Sequence, residues 1–273
     1  MKKLIIAGMF VFLVPFILPA QSFLLENWPS PRSGVTLQYY RPNFKDQQNL
    51  TSLSGIYTFT LSIPMRNRLN LVGTIPYGSL SYGGPFRETG SGNIYLGLQY
   101  RLRASRKTGI TMSTGVFLPT LRDNGSAIGY TGFFTNYFQF PAFYLKHLTF
   151  YGNFALRRII GNDFMVGIEA GPYVAIPTEK SAGDKTDVFL HYGLFSAYRF
   201  FEQFTFKVEL AGVGIISREA GSLNDRFVHE LAFGILWNSG VFRPGIFYKI
   251  FLDKEFRDEF GGVFGVRLEL MFR

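Results

Sequence analysis

The chain has 273 residues, with 28 basic and 19 acidic side chains, 18% aromatics and no cysteine. Without cysteine there is neither a disulfide framework nor a lipoprotein anchor. The basic residues are scattered, with no Lys/Arg-rich run or nucleic-acid motif, so nucleic acid is not an expected partner.

Met1-Lys2-Lys3 is a short basic start, and Leu4 to Leu18 is an apolar run broken by Pro15. With the small Ala20 before Gln21 this reads as a secretory signal peptide over residues 1–20, leaving residues 21–273 as one domain. Cleavage there leaves 26 basic and 19 acidic residues, a net charge of +7.

Residues 21–32, with Pro29 and Pro31, read as an extended leader. Alternation of apolar and polar residues then predicts strands at 34–41, 51–64, 69–79, 93–103, 109–119, 143–158, 163–176, 187–200, 203–216, 226–237, 241–252 and 261–272. Leu53, Tyr57, Phe59, Leu61 and Ile63 fall on one face, opposite Ser52, Ser54, Thr58, Thr60 and Ser62. In the last segment Phe264, Val266, Leu268, Leu270 and Phe272 oppose Arg267 and Glu269. A strand with a solid apolar row on one face and charges on the other lies between two solvents. Lipid outside and water inside satisfy both faces, and only a closed barrel leaves no edge in lipid.

The connections support this reading. Those at 66–68, 104–108, 161–162, 201–203 and 238–240 are short, whereas 42–50, 80–92, 177–186, 217–225 and 253–260 are longer and polar. The fold expected is all-β, a closed antiparallel transmembrane β-barrel of the outer membrane. Twelve strands fit best, and fourteen is the alternative if 131–145 is a strand. In the twelve-strand reading, residues 120–142 form one long outer loop. Its aromatic segment, with Phe133, Phe134, Tyr137, Phe138 and Phe140, is a candidate hydrophobic site at the barrel mouth.

Parity sends Arg101, Arg103, Arg157, Glu169, Lys207, Glu209, Glu230, Arg243, Lys249, Arg267 and Glu269 into the lumen. On the lipid face near mid-membrane each Lys or Arg would cost roughly 2–4 kcal/mol. Such a set lines a solute path with a mixed wall, or fills a narrow barrel with salt bridges. Of three histidines, His147 lies by a turn, His191 faces the lumen and His229 sits at a rim. None belongs to a nucleophile or metal motif, so no enzyme activity, metal or cofactor is expected.

Ser91-Gly92-Asn93-Ile94-Tyr95-Leu96-Gly97-Leu98-Gln99-Tyr100-Arg101-Leu102 and Ser113-Thr114-Gly115-Val116-Phe117-Leu118-Pro119-Thr120 resemble motifs of the outer-membrane transporters of the meta-pathway of phenol degradation type. Phe150-Tyr151-Gly152-Asn153-Phe154-Ala155-Leu156-Arg157 is similar to a later strand of that family. Asn93 stands where the family usually has Asp, and Leu121 where Gly usually follows Pro-Thr. The resemblance covers about residues 34–160 and implies a barrel admitting hydrophobic or aromatic compounds. The function expected is therefore an outer-membrane channel for small, hydrophobic or aromatic solutes. Its partners are outer-membrane lipid, such a solute and the barrel-assembly machinery. The alternative is a structural or surface-binding barrel with a filled lumen; a lipid-modifying enzyme ranks below both.

Overall fold

A computed structural model describes residues 22–26, 29–45, 53–66, 68–81, 87–105, 107–122, 126–179, 185–201, 203–218 and 226–272. The expected signal peptide lies outside these residues. The strands are β1 (Gly34–Phe44), β2 (Gly55–Arg66), β3 (Leu69–Ser81), β4 (Arg87–Ser91), β5 (Ile94–Ala104), β6 (Thr108–Leu118), β7 (His147–Ile160), β8 (Phe164–Pro177), β9 (Asp187–Phe200), β10 (Phe204–Ile215), β11 (Phe227–Trp237), β12 (Phe242–Phe251) and β13 (Phe260–Met271). Two helices, α1 (Ser126–Thr135) and α2 (Lys254–Glu259), and a 3-10 segment (Tyr137–Phe143) complete the elements.

Each strand pairs antiparallel with its neighbours, and β1 pairs with β13 from Gly34↔Met271 to Phe44↔Phe260, closing the sheet. β3 pairs with β5 at its lower half and with β4 at its upper half. β4 and β5 are thus two pieces of one stave, parted at Gly92-Asn93, and the barrel has twelve staves.

The two faces of the wall have opposite chemistry. Phe59, Leu61, Leu98, Phe154, Ile168, Leu194, Phe206, Ile235, Ile246, Phe264 and Leu270 are all exposed on the outside. Between them, Thr58, Gln99, Asn153, Glu169, Lys207 and Arg267 are buried inside. An apolar belt this continuous is stable only against lipid. At the short-turn end the belt closes with stacked rings, Phe200 on Phe204 at 5.7 Å and Phe204 near Trp237 at 6.4 Å. Rings suit that depth because they tolerate both acyl chains and headgroups.

Several expectations are corrected here. The strand placed at 143–158 starts at His147, because residues up to Phe143 belong to the 3-10 segment and Lys146 turns the chain with φ 57°. The stretch 131–145 is not a strand, so the fourteen-stave alternative falls. Its adjacent aromatics cannot sort onto two faces of a sheet, and α1 and the 3-10 segment bury them on several sides. The expected loops at 80–92 and 253–260 contain β4 and α2. The leader, whose place the sequence left open, lies inside the barrel: Phe23, Leu24 and Leu25 are among its most buried side chains.

Candidate functional site

The lumen is occupied from both ends. From the short-turn end the leader rises from β1 into the interior, and polar groups on the wall receive it. Asn70 Nδ2 donates to Ser30 O at 2.8 Å, near the entrance. Higher up, the Glu26 carboxylate accepts from Gln99 Nε2 and from Asn153 Nδ2, both at 2.8 Å. The Glu26 amide donates to Glu169 at 3.1 Å and 3.3 Å.

The tip is held most tightly. The amides of Phe23 and Leu24 donate to Glu209 Oε2 at 3.0 Å and 2.6 Å. Lys207 Nζ pairs with Glu209 Oε1 at 2.6 Å, donates to Ser22 Oγ at 2.6 Å, and lies over the Phe195 ring. Arg267 Nη1 donates to Ser22 O at 3.1 Å. Strand parity explains the convergence. Lys207 and Glu209 are two residues apart on β10, so both point inward. Backbone amides that enter an enclosed lumen need acceptors, and Glu209 supplies two of them with one oxygen. A glycine makes room on the wall: a Cβ on Gly193 would meet Leu25 Cδ2 at 2.2 Å.

From the long-loop end, α1 and the 3-10 segment fold into the mouth. Asn93 anchors them where the β4–β5 stave breaks. Fully buried, it donates from Nδ2 to Pro141 O at 2.8 Å and Tyr144 O at 2.7 Å, and accepts from the Leu121 amide at 3.0 Å. The two positions where this chain departs from the resembled motif, 93 and 121, thus bond to each other. A carboxylate at 93 could accept from Leu121 but could not donate to the two carbonyls. Asn93→Asp is therefore expected to orphan the Tyr144 carbonyl and to leave Pro141 O with only the long bond from the Tyr144 amide at 3.4 Å, at a cost of roughly 1–3 kcal/mol. Faster trypsin cleavage after Arg122 in the folded barrel would report the loosened segment; an unchanged rate would contradict this anchoring role.

The aromatic side chains divide between two tasks. Phe138 meets His191 at 5.4 Å, and Tyr173 Oη donates to Phe138 O at 2.9 Å. Phe140 packs on Phe189 at 4.6 Å and on Tyr173 at 5.5 Å. Phe134 instead reaches across the mouth to Phe256 at 5.3 Å and Phe260 at 5.9 Å, and Tyr137 also meets Phe256. Phe133 joins Tyr137 and Phe140. Burial, with Glu230 and Asp253 nearby, pushes the Tyr137 phenol up to about 12, so at physiological pH it stays neutral.

Between leader and wall a cavity of about 100 Å³ remains. Thr36, Gln38, Thr58, Thr60, Ser62 and Thr74 line one side, from β1, β2 and β3. Phe23, Tyr95, Phe117, Phe138, Tyr151 and Tyr173 line the other. It extends from Gly34 and Met271, at the short-turn end, to Gln139 and Ala142 under the outer segment.

Of the eleven charged residues assigned to the lumen by parity, Glu269 alone borders this cavity. Lys207, Glu209, Glu169 and Arg267 grip the leader. Glu230 and Lys249 pair with each other at 2.6 Å. Arg157 is buried and Arg101 half-buried at the short-turn end, and Arg243 is half-buried at the start of β12. Arg103 is exposed beyond a register shift in β5, so parity misplaces it. His191 is fully buried in the lumen, with Nε2 3.3 Å from Asn153 Oδ1 and its ring stacked on Tyr151. His229, at the rim, lies between Tyr192 Oη at 2.6 Å and Asp253. His147 stacks on Tyr144 beside its turn.

Sequence reasoning missed the leader's place, the threonine wall and Asn93. One signal was present: Phe23-Leu24-Leu25 directly after the expected cleavage site is too apolar for a solvated tether.

Solved structures share this architecture. An outer membrane channel from Pseudomonas putida superposes with a TM-score of 0.64 at 12% identity, covering 92% of this chain and 99% of its own. The NanC porin gives 0.55 at 12% identity, and the KdgM porin 0.53 at 10%, each covering 88% of this chain and 99% of its own. No protein family and no curated protein sequence matches the chain. These likenesses agree with the resemblance read from residues 91–157 and define the class: an outer-membrane β-barrel of the porin and channel architecture.

Proposed function

We propose that this barrel is an outer-membrane channel for small, uncharged hydrophobic or aromatic solutes, and that they move along the cavity beside the leader. The observation that carries the reading is the cavity's two-sided lining. Six rings on one side offer stacking and apolar contact, a row of hydroxyls opposite offers uncharged hydrogen bonds, and charged side chains on the lining are few, Glu26, Arg32 and Glu269. At about 100 Å³ the cavity is narrower than the roughly 150 Å³ dry cavity that holds benzene, so a ring passes only as the leader and the lining side chains yield. Most of the buried charges support the same reading, because Lys207, Glu209, Glu169, Arg267, Glu230 and Lys249 bind leader or one another and do not line the cavity.

The leader and the outer segment also favour a second reading, a filled barrel that binds a partner through its loops. Proteoliposome uptake separates the two. Measured as the excess over protein-free vesicles, a channel of the proposed kind admits an uncharged phenyl alcohol at least about tenfold faster than a carboxylate of the same size. Phe138→Ala should change that rate while heat-modifiable mobility on gels shows an intact barrel. No uptake of either compound would favour the filled barrel.

A further inference from the structure

The chain's excess of positive charge is concentrated at one end of the barrel. The described residues of the three short connections β2–β3, β5–β6 and β7–β8 and their flanks include Arg66, Arg68, Arg103, Lys107 and Arg158, against one acid, Asp163. Between Glu26 and Asp163 the sequence has three acidic residues, and the described one, Glu88, lies on β4 at the long-loop end. The connections form one arc: the Arg101 amide donates to Arg68 O at 2.8 Å, and the Ile159 amide to Lys107 O at 2.7 Å.

Arg66, Arg68, Arg103, Lys107 and Arg158 are exposed, and none forms an ion pair among the described residues. Asp163, in the β7–β8 connection, is taken by Arg199 at 3.0 Å, and at the long-loop end Arg218 pairs with Asp187 at 2.6 Å and Lys146 with Glu179 at 2.8 Å. A same-sign cluster repels itself, so an arc whose one acid, Asp163, is already taken by Arg199 suits anions supplied from outside.

Its height identifies the anion. Met65, Tyr100, Leu102 and Ile160 are the last exposed apolar side chains of the lipid-facing belt. Arg66 follows Met65 and Arg103 follows Leu102, while Arg158 lies one outward position inside Ile160, from where its long side chain reaches the same level. The guanidinium groups therefore stand where acyl chains give way to headgroups. A guanidinium fork matches the two free oxygens of a phosphodiester. We infer that this arc is a binding site for anionic phospholipid headgroups of the leaflet at the short-turn end. A soluble acidic protein would need no such alignment with the belt's edge.

The test uses the full mature chain in detergent micelles doped with equal phosphatidylglycerol and phosphatidylcholine, with retained lipids counted by native mass spectrometry. The expected result is a preference for phosphatidylglycerol of at least about fivefold, lost in the combined Arg66→Gln, Arg68→Gln, Arg103→Gln, Arg158→Gln variant. Should that variant fail to show heat-modifiable mobility, the pairs Arg66→Gln/Arg68→Gln and Arg103→Gln/Arg158→Gln carry the test, each expected to lose about half the preference. Inorganic phosphate at about 10 mM should leave the bound lipid in place, because a headgroup anchored by its acyl chains outcompetes a free ion. The inference is overturned if the intact chain shows no preference, if folded variants keep it, or if phosphate strips the lipid and so marks a general anion site.

Discussion

A chain exported without residues 22–31 is expected to form a barrel that conducts ions about fivefold better than the intact protein. The leader fills the lower and middle lumen, and its bonds run to Glu209, Glu169, Gln99, Asn153 and Asn70 rather than to the strand ladder. Removing it therefore leaves every strand pair in place. Water can enter and solvate Lys207, Glu209 and Arg267, so the loss of their partners is partly offset. The outer segment stays anchored on Asn93 and limits the gain. Single-channel recording in planar bilayers checks the outcome. Equal conductance for both chains would mean that the leader does not restrict the lumen.

Replacing Lys249 by Met is expected to destabilise the barrel by about 3–5 kcal/mol, whereas Lys249→Met with Glu230→Leu should cost far less. Lys249 and Glu230 point inward from neighbouring strands, are about 99% and 98% buried, and meet at 2.6 Å. Rings of Tyr40 and Phe251 lie 5.9 Å and 5.6 Å from the ammonium. Removing only the cation leaves a carboxylate in an enclosed, largely apolar site, with no leader backbone to receive it. Removing both leaves two apolar side chains that can pack against those rings. Urea unfolding in lipid vesicles measures both variants. A cost below about 1 kcal/mol for the single change would mean that this level of the lumen is wet.

How much of this was legible in the sequence depends on which solvent each residue faces. Parity separated the lipid face from the lumen correctly wherever a strand was regular, because a period of two leaves no intermediate direction. Leu61 and Phe264 stand exposed outside, and Thr58 and Arg267 buried inside. It failed at Arg103, where a register shift resets the count. Twelve staves and their closure followed from connection lengths and from the refusal of residues 131–145 to alternate.

The interior was not legible. Two-fold alternation says that Glu209 points inward but not what it meets, and its partners lie 185 and 186 residues away on a segment with no strand pattern. Asn93 looked like one more motif residue, although its amide fixes the segment that caps the lumen. The threonines of β1, β2 and β3 were visible as polar alternation, yet that pattern marks any water-facing wall. Their significance comes from the leader, which turns away from them and leaves the cavity open on that side.

If uncharged aromatic solutes move along this cavity, as proposed, a single engineered thiol on its wall responds to them directly. The chain has no native cysteine. Thr60 borders the cavity from β2, 3.0 Å from Thr74 across its wall. In vesicle-embedded protein, Thr60→Cys is predicted to react with a small, water-soluble thiol reagent, and a phenyl alcohol is predicted to slow that reaction while a sugar alcohol does not. A thiol that stays unreactive while a control cysteine at the exposed Ser105 is labelled, or one that reacts equally with and without the aromatic, would contradict the account.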